Sequence, residues 1–143
     1  MLDCSPGINE EAEECIKICD EVLIVTNPEI HSVTDALKTI MLAKRYKKPI
    51  AGIIVNKSDG KKFEMSIKNI EDFLGTPVIS VVPNDDHVKE AISERKAVVD
   101  MYPFCKASIG FKKAAAKIVG QDYKILGEGI LSKILKFFKR KNS

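Results

Sequence analysis

An aspartate close to the N-terminus has the setting of a magnesium-binding residue. Asp3 follows a short apolar start and precedes Pro6 and Gly7, as at the end of a buried strand that runs into a Pro-Gly turn. A carboxylate in this position can hold Mg²⁺ through water, because Mg²⁺ keeps much of its hydration shell. Gly7 would let the backbone approach a terminal phosphate closely. The structural alternative is an ordinary turn in which Asp3 or Ser5 caps the next helix.

A second polar segment could contact a nucleotide base. Residues 56–59 read Asn-Lys-Ser-Asp and match N-K-x-D, the segment with which many GTPases bind guanine. The pattern has few fixed positions, so a polar turn that ends at Gly60 is an equally simple explanation. We therefore keep a contact between Asn56 and a base as the first interpretation, with GTP binding as a weaker alternative.

Apolar runs and amphipathic stretches alternate along the chain. Three nearly continuous apolar runs are typical of parallel strands that are covered on both faces, and they lie at residues 22–26, 50–55 and 78–82. Apolar residues recur at helical spacing over residues 8–19, 31–46, 64–74, about 86–95 and about 105–119. This alternation predicts an α/β fold with right-handed crossovers and a doubly wound parallel sheet.

Polar, turn-rich segments stand where the predicted strands end. They cover residues 3–7, 26–29, 56–59 and 83–86. Ligands of open α/β sheets bind outside the carboxyl ends of the strands. We therefore expect these segments to share one edge of the sheet and to form the ligand site.

Composition and charge restrict the classes of partner. With 143 residues, 45% of them hydrophobic and 30% charged, the chain fits one globular domain. It has neither a run of ~18 apolar residues nor a signal-peptide layout, so the cytoplasm is the expected compartment. The positive net charge of +3 comes from residues 130–143, which contain lysine and arginine but no aspartate or glutamate. We predict no direct nucleic-acid binding, since no basic stripe with aromatic residues runs through the body.

The cysteines are predicted to be buried free thiols. They are Cys4, Cys15, Cys19 and Cys105. Cys15 and Cys19 share a helix face, and Cys4 could join them in a thiolate site. Because no C-x-x-C pair and no histidine at ligand spacing accompanies them, a metal or redox site is kept only as the alternative.

The order of motifs resembles the C-terminal half of MinD-type ATPases, which belong to the ParA/MinD branch of P-loop proteins with a deviant Walker A loop. The resemblance covers about residues 2–120. It rests on these segments: Asp3-Cys-Ser-Pro-Gly-Ile8, Asp20-Glu-Val-Leu-Ile-Val-Thr-Asn-Pro-Glu29, Ser32-Val-Thr-Asp-Ala36, Gly52-Ile-Ile-Val-Asn56, Glu64-Met-Ser-Ile67, Leu74-Gly-Thr-Pro-Val-Ile79 and Val82-Pro83.

The resemblance implies roles for individual residues. Asp3 falls on the Walker-B-like acid on the Mg²⁺ side, and Pro6 and Gly7 fall on the switch that senses the γ-phosphate. Asn56 falls on the asparagine that contacts adenine, and Pro83 falls in the loop that closes over the base. A surface for dimerisation or for partners is implied at Glu29, Ser32 and Asp35. ATP and Mg²⁺ are the implied cofactors, provided that the missing half of the site is supplied.

The chain also departs from the family pattern. The 143 residues do not contain the K-G-G-x-G-K-[ST] loop, its lysine, the magnesium-binding Ser/Thr or the first strands of the sheet. The resemblance therefore predicts a truncated sheet that lacks the phosphate-loop strand, which would lie between the Asp3 strand and residues 22–26. Either the Asp3 strand shifts to pair with residues 22–26, or a partner strand fills the gap, or the chain is only marginally stable. We expect no ATP hydrolysis by the chain alone.

The C-terminal residues form a separate amphipathic pattern. Residues 1–120 constitute the partial ATPase domain, 121–129 a linker and 130–143 a basic tail helix. The apolar side of this helix would span an arc of ~160° and consist of Ile130, Leu131, Ile134, Leu135, Phe137 and Phe138. The opposite side carries Lys133, Lys136, Lys139 and Arg140. This layout is typical of a helix that lies on an anionic membrane surface; a helix packed on the domain is the alternative.

Two functions of different classes follow. The first is a MinD/ParA-like ATPase fragment or remnant, a nucleotide-dependent positioning switch of the cell-division or partitioning type. It would lie peripherally on the inner face of the cell membrane and act together with a MinD-like chain that carries the phosphate loop. The second is a non-catalytic, membrane-associated interaction module that binds a full-length relative through residues 29–37.

Overall fold

The computed structural model describes residues 1–4, 7, 9–121 and 123, so the predicted tail helix, most of the predicted linker and Pro6 lie outside the described residues. The elements in chain order are α1 (Glu10–Ile18), β1 (Val22–Thr26), α2 (Ile30–Arg45), β2 (Ile50–Ser58), α3 (Ile67–Leu74), β3 (Val78–Pro83), α4 (Asp86–Ser93), α5 (Val98–Met101) and α6 (Lys106–Ile118). The predicted α/β alternation is confirmed.

The three described strands form one parallel sheet in the order β1-β2-β3. Ile24 pairs with Ile53, and Val55 pairs with Val81. Parallel neighbours require crossover connections, which α2 and α3 provide. Helices cover both faces of the sheet, so the central residues Ile53–Val55 of β2 are buried, and this explains the continuous apolar run in the sequence.

The core has two layers, one on each face of the sheet. On one face, α2 and α3 pack on the sheet through Ile24, Val33, Ala36, Ile40, Ile53, Val55, Ile70 and Leu74. On the other face, Ala107 and Ala114 of α6 pack against Ile54 of β2 and Val82 of β3. Gly110 lets α6 approach β3 closely, since a Cβ there would lie 3.0 Å from Val82 Cα and 3.1 Å from the Val81 carbonyl oxygen.

Local capping chemistry sets the helix ends. The Ser66 hydroxyl accepts from the Asn69 N–H at the start of α3, and Gly75 ends this helix in the left-handed conformation (φ +59°). The prediction placed the start of this helix at residue 64, but α3 begins three residues later because Ser66 is its cap and Glu64 belongs to the preceding loop. The short helix α5 was not predicted.

The N-terminal segment differs from the sequence prediction. Residues Met1–Cys4 form no strand and are exposed, so the prediction that the Asp3 strand could pair with β1 is wrong. Leu2 is 53% exposed and belongs to neither core cluster, so it adds little apolar burial that would hold a strand against the sheet. Helix α1 is capped by Asn9, whose side chain accepts from the Ala12 N–H, and the alternative of a cap by Asp3 is therefore wrong, while Ser5 lies outside the described residues.

The cysteines are less buried than predicted. Cys4 is exposed, whereas Cys15, Cys19 and Cys105 are half-buried. The prediction that they are free thiols is confirmed for all four.

Candidate functional site

The loops that follow the three strands are joined to one another by backbone hydrogen bonds. The Met65 N–H donates to the Pro28 carbonyl oxygen over 2.9 Å, which ties the loop after β2 to the loop after β1. The Asn84 N–H donates to the Ser58 carbonyl oxygen over 2.9 Å, which ties the loop after β3 to the end of β2. The predicted clustering of these polar segments at one edge of the sheet is thereby confirmed for the three described strands.

Glu64 holds the loop that follows β2. Its carboxylate accepts from the Ser58 hydroxyl (3.1 Å), the Asp59 N–H (2.9 Å) and the Gly60 N–H (3.0 Å). Removal from water alone would raise the pKa of Glu64, but these hydrogen bonds outweigh it and lower the pKa. The carboxylate therefore fixes the path of the chain immediately after Asn56.

Asn56 and Pro83 lie at the ends of neighbouring strands. Ser58 pairs with Pro83 across the ladder between β2 and β3, and both Asn56 and Pro83 are half-buried. Among the residues that the structure describes, none forms a hydrogen bond with the Asn56 side chain. Its amide is therefore available to a ligand at this edge of the sheet.

Asp59, the last residue of the N-K-x-D segment, is already engaged. Its carboxylate lies 3.0 Å from Lys61 Nζ. Hydrogen bonds from Lys61 and then from the Asn84 side chain lower the pKa of Asp59. This arrangement favours a role in holding the loops after β2 and β3 together over the reading of a guanine base.

The residues predicted for the magnesium side lie in the exposed N-terminal segment. Asp3 is exposed, and Gly7 has φ +92° with open space around the position of a Cβ. Desolvation, followed by the interaction with the Cys15 thiol, raises the pKa of Cys4. The structure therefore does not bring Asp3 into the sheet beside the strand ends.

The residues predicted for a partner surface lie along the first turns of α2. Glu29 is the exposed N-cap residue, and its side chain makes no capping hydrogen bond. Ser32 is half-buried, and the exposed Asp35 pairs with Lys38 over 2.7 Å. Residues three apart share one side of a helix, and α2 begins directly after the loop that follows β1, so the three residues start from the edge of the sheet where the loops lie.

A cluster beside this edge was not predicted from the sequence. Asp85 caps α4: its Oδ1 accepts from the His87 N–H (3.1 Å) and lies 2.7 Å from His87 Nδ1, while its Oδ2 accepts from the Ala107 N–H (3.2 Å). Burial alone would raise the pKa of Asp85, but hydrogen bonds from His87, Ala107 and Cys105 hold it well below its usual range. The signal in the sequence was Asp85 one residue before a helix; Cys105 is distant along the chain and became a neighbour only through folding.

Comparison with known families gives a match over most of the chain. A profile of the family described as 4Fe-4S iron sulfur cluster binding proteins, NifH/frxC family, matches residues 13–140. Within the described part of the chain, the cysteines do not form the four-thiolate set that such a cluster requires. Cys105 caps α6, whereas Cys15 lies in α1 and Cys19 ends that helix. Among the described residues, the group of side chains close enough to share a metal ion contains a single cysteine, Cys105. The described residues of this chain thus do not fit an iron–sulfur cluster.

Individual relatives are more specific. An uncharacterised ATP-binding protein of Methanocaldococcus jannaschii is 39% identical over 140 residues, which are 95% of this chain and 53% of that protein. The cell division ATPase MinD of Pyrococcus furiosus superposes with a TM-score of 0.76 at 29% identity, over 82% of this chain and 50% of that one. The septum site-determining protein MinD of Pyrococcus horikoshii, solved with Mg-ADP, gives a TM-score of 0.75 at 28% identity, over 81% and 48%.

The chain spans about half the length of the relatives it matches. The predicted resemblance is confirmed by the family profile, by these proteins and by the parallel sheet. The chain belongs to the NifH/frxC family of P-loop proteins, and within it to the MinD/ParA-like ATPases, of which it corresponds to the C-terminal half.

Proposed function

We propose that this chain supplies the base-facing side of the ATP site in a MinD/ParA-type ATPase, with Asn56 and Pro83 beside the adenine. The observation that carries the proposal concerns the side-chain amide of Asn56, which lies near the end of β2 and next to the end of β3. This amide has no hydrogen-bond partner among the described residues. A primary amide offers both a donor and an acceptor, which matches the paired donor and acceptor on the edge of adenine. Glu64 keeps this amide in place by fixing the loop that follows it.

The magnesium side of the site requires a further ordering step. Asp3 offers the carboxylate oxygen that Mg²⁺ prefers, but it stands in an exposed segment outside the sheet. We infer that Asp3, Pro6 and Gly7 reach their working positions when a phosphate-loop strand pairs with β1. Two observations support this step: β1 pairs only with β2 among the described strands, and Val25 on β1 is 59% exposed.

In the assembled site, each residue of this chain has a separate task. The Asn56 amide orients the base, and the loop that begins at Pro83 covers it. Asp3 would hold Mg²⁺, and the ion would supply positive charge to the phosphates. The lysine and the backbone N–H groups that cradle the phosphates belong to the K-G-G-x-G-K-[ST] segment, which lies outside these 143 residues. We therefore propose that hydrolysis requires both halves.

Nucleotide binding tests this proposal. ATP·Mg²⁺ is titrated by calorimetry into the chain mixed with a MinD-like half that carries the phosphate loop. The variant Asn56→Ala should weaken binding about tenfold, because one or two hydrogen bonds to the base are lost. Asn69→Ala is the matched control, since Asn69 is exposed at the start of α3, and it should bind like the parent chain. ATP·Mg²⁺ bound tightly by the isolated chain, and released by Asp3→Ala, would contradict the proposal.

We further propose that the chain acts as a peripheral switch on the inner face of the cell membrane, through residues 130–143. The support is their sequence pattern of an apolar arc opposite Lys133, Lys136, Lys139 and Arg140. None of the described helices is long and apolar enough to cross a bilayer. Flotation with vesicles that contain anionic lipid should recover the full chain, and a version that ends at Glu128 should stay behind. Equal recovery of both versions would exclude the tail as the anchor.

The proposed partner surface is the exposed start of α2. Glu29, Ser32 and Asp35 border the same edge as the site, so a second MinD-like chain bound there would sense the state of the loops. Glu29→Ala with Asp35→Ala should reduce association with such a chain in analytical ultracentrifugation. If the parent chain associates with such a partner but never binds nucleotide, the chain is the non-catalytic interaction module instead.

A further inference from the structure

Three side chains of the kinds that bind transition metals meet between α4 and α6. Asp85, His87 and Cys105 each offer one ligand atom, and these atoms all lie within 4.8 Å of one another. We propose that they form a binding site for one divalent ion of the zinc type, with a fourth position open to water. This site does not depend on the proposed nucleotide site, because none of its ligands has a role there.

The donor set selects the class of ion. A thiolate, an imidazole and a carboxylate together suit Zn²⁺ and related borderline ions, whereas Mg²⁺ and Ca²⁺ prefer oxygen ligands alone. Tetrahedral bonds of about 2.1 Å to nitrogen and oxygen and about 2.3 Å to sulfur place the ligand atoms roughly 3.4–3.6 Å apart. Because the ligand atoms all lie within 4.8 Å of one another, no pair would have to close by more than about 1.4 Å. Asp85 Oδ1 and His87 Nδ1, which lie 2.7 Å apart, would open by about 0.7 Å if both bound the ion.

The backbone holds the three ligands in place. Asp85 is the N-cap residue of α4, His87 lies in its first turn, and Cys105 is the N-cap residue of α6. The Ala107 N–H of α6 donates to Asp85 Oδ2, so the starts of the two helices are already joined across the site. A site in which the ligands sit on fixed helix ends loses little conformational entropy when the ion binds.

The sulfur of the cysteine is held at the start of α6. Its Sγ accepts from the Ser108 N–H over 3.4 Å and donates to the Ser108 hydroxyl over 3.3 Å. The thiol therefore releases its proton when a metal binds. The Asp85 side chain is only 9% exposed, whereas that of His87 is 49% exposed, so one side of the cluster opens to solvent and an ion can enter.

A bound ion would connect α4 to α6 next to the end of β3. Pro83 and Asn84 immediately precede the cluster, and Asn84 is tied to Ser58 by the backbone hydrogen bond described above. The metal would therefore stiffen the loop after β3 without contacting a nucleotide.

Cobalt provides a direct optical test with the full chain. Titration with Co²⁺ should give a thiolate-to-metal charge-transfer band and the visible bands of a tetrahedral ion, saturating at a single ion per chain and displaced by Zn²⁺. Cys105→Ser should abolish the charge-transfer band and weaken Zn²⁺ binding by about 100-fold, and His87→Ala should weaken it similarly. Serine is a good N-cap, so Cys105→Ser leaves α6 capped and the fold intact.

Two matched controls separate this site from others. Cys19→Ser removes another half-buried thiol, and Asp86→Asn removes the neighbouring carboxylate of α4; both should leave Co²⁺ binding unchanged. Zn²⁺ should also raise the Tm of the parent chain and of both controls, but not that of His87→Ala. The proposal is overturned if the parent chain gives no charge-transfer band, if the band survives in Cys105→Ser, or if it disappears in Cys19→Ser.

Discussion

Gly52 is the position in β2 where one added methyl group should be most damaging. It lies at φ +143°, where L-residues are strained, and beside a bulge at which Val22 pairs with Ile50 but Leu23 pairs with Gly52. A Cβ at this position would overlap with Ile79 Cγ2 and lie 3.3 Å from Ile79 Cγ1, closer than the ordinary carbon contact of about 3.5–4.0 Å. The strand that carries Asn56 therefore tolerates only glycine here.

Two costs add up in the variant Gly52→Ala. Overpacking of a formed core costs about 1–3 kcal/mol, and a residue held at an unfavourable φ costs about 1–3 kcal/mol. We expect the free energy of unfolding to fall by about 2–6 kcal/mol, which is a large part of the ~5–15 kcal/mol that stabilises a typical domain.

Urea unfolding followed by circular dichroism measures this loss. Gly75→Ala is the matched control: it also lies at positive φ (+59°) but has nothing within 4 Å of the added Cβ, so it should cost only about 1–2 kcal/mol. Adding Ile79→Ala to Gly52→Ala removes the overlap, and the two substitutions should be coupled by about 1 kcal/mol or more. A Gly52→Ala variant that is no less stable than Gly75→Ala would refute this reasoning.

Three further predictions concern the caps and loops. Because the pKa of Asp85 is lower in the folded state, its contribution to stability is present above pH ~4 and is lost as the pH falls below that value; Asp85→Asn should flatten this part of the stability–pH curve measured by urea unfolding. Ser66→Ala removes the acceptor for the Asn69 N–H and should lower the free energy of unfolding by about 1 kcal/mol in the same assay. Glu64→Ala should speed hydrogen exchange at the Asp59 and Gly60 amides, and unchanged exchange would show that the carboxylate does not hold the loop.

The elements of the fold were largely predictable because their signals are local. The apolar run of β2 and the amphipathic spacing of α3 each depend on a few adjacent residues, and both elements were found within three residues of their predicted bounds. The grouping of the loops after the strands followed from a general property of parallel sheets. Neither inference needed contacts between distant parts of the chain.

What the sequence did not predict depends on tertiary neighbours. The residues around Asp3 have a sequence typical of a strand end, but they pair with no strand among the described residues. Local propensity alone therefore did not predict the structure of this segment. The meeting of Asp85 with Cys105 depends on how α6 docks on β3, which a pattern within either segment cannot show. The engagement of Asp59 by Lys61 and Asn84 likewise became visible only in three dimensions.

The central claim is that the ends of β2 and β3 hold the adenine. It is tested most directly by mapping amide chemical shifts of this chain by NMR, assembled with a half that carries the phosphate loop, as ATP·Mg²⁺ is added. We predict that the largest shifts occur at Asn56, Lys57 and Asn84, and that Asn56→Ala reduces them. The account would be contradicted if, at saturating ATP·Mg²⁺, the amide signals of these three residues did not shift and the shifts occurred elsewhere on the chain.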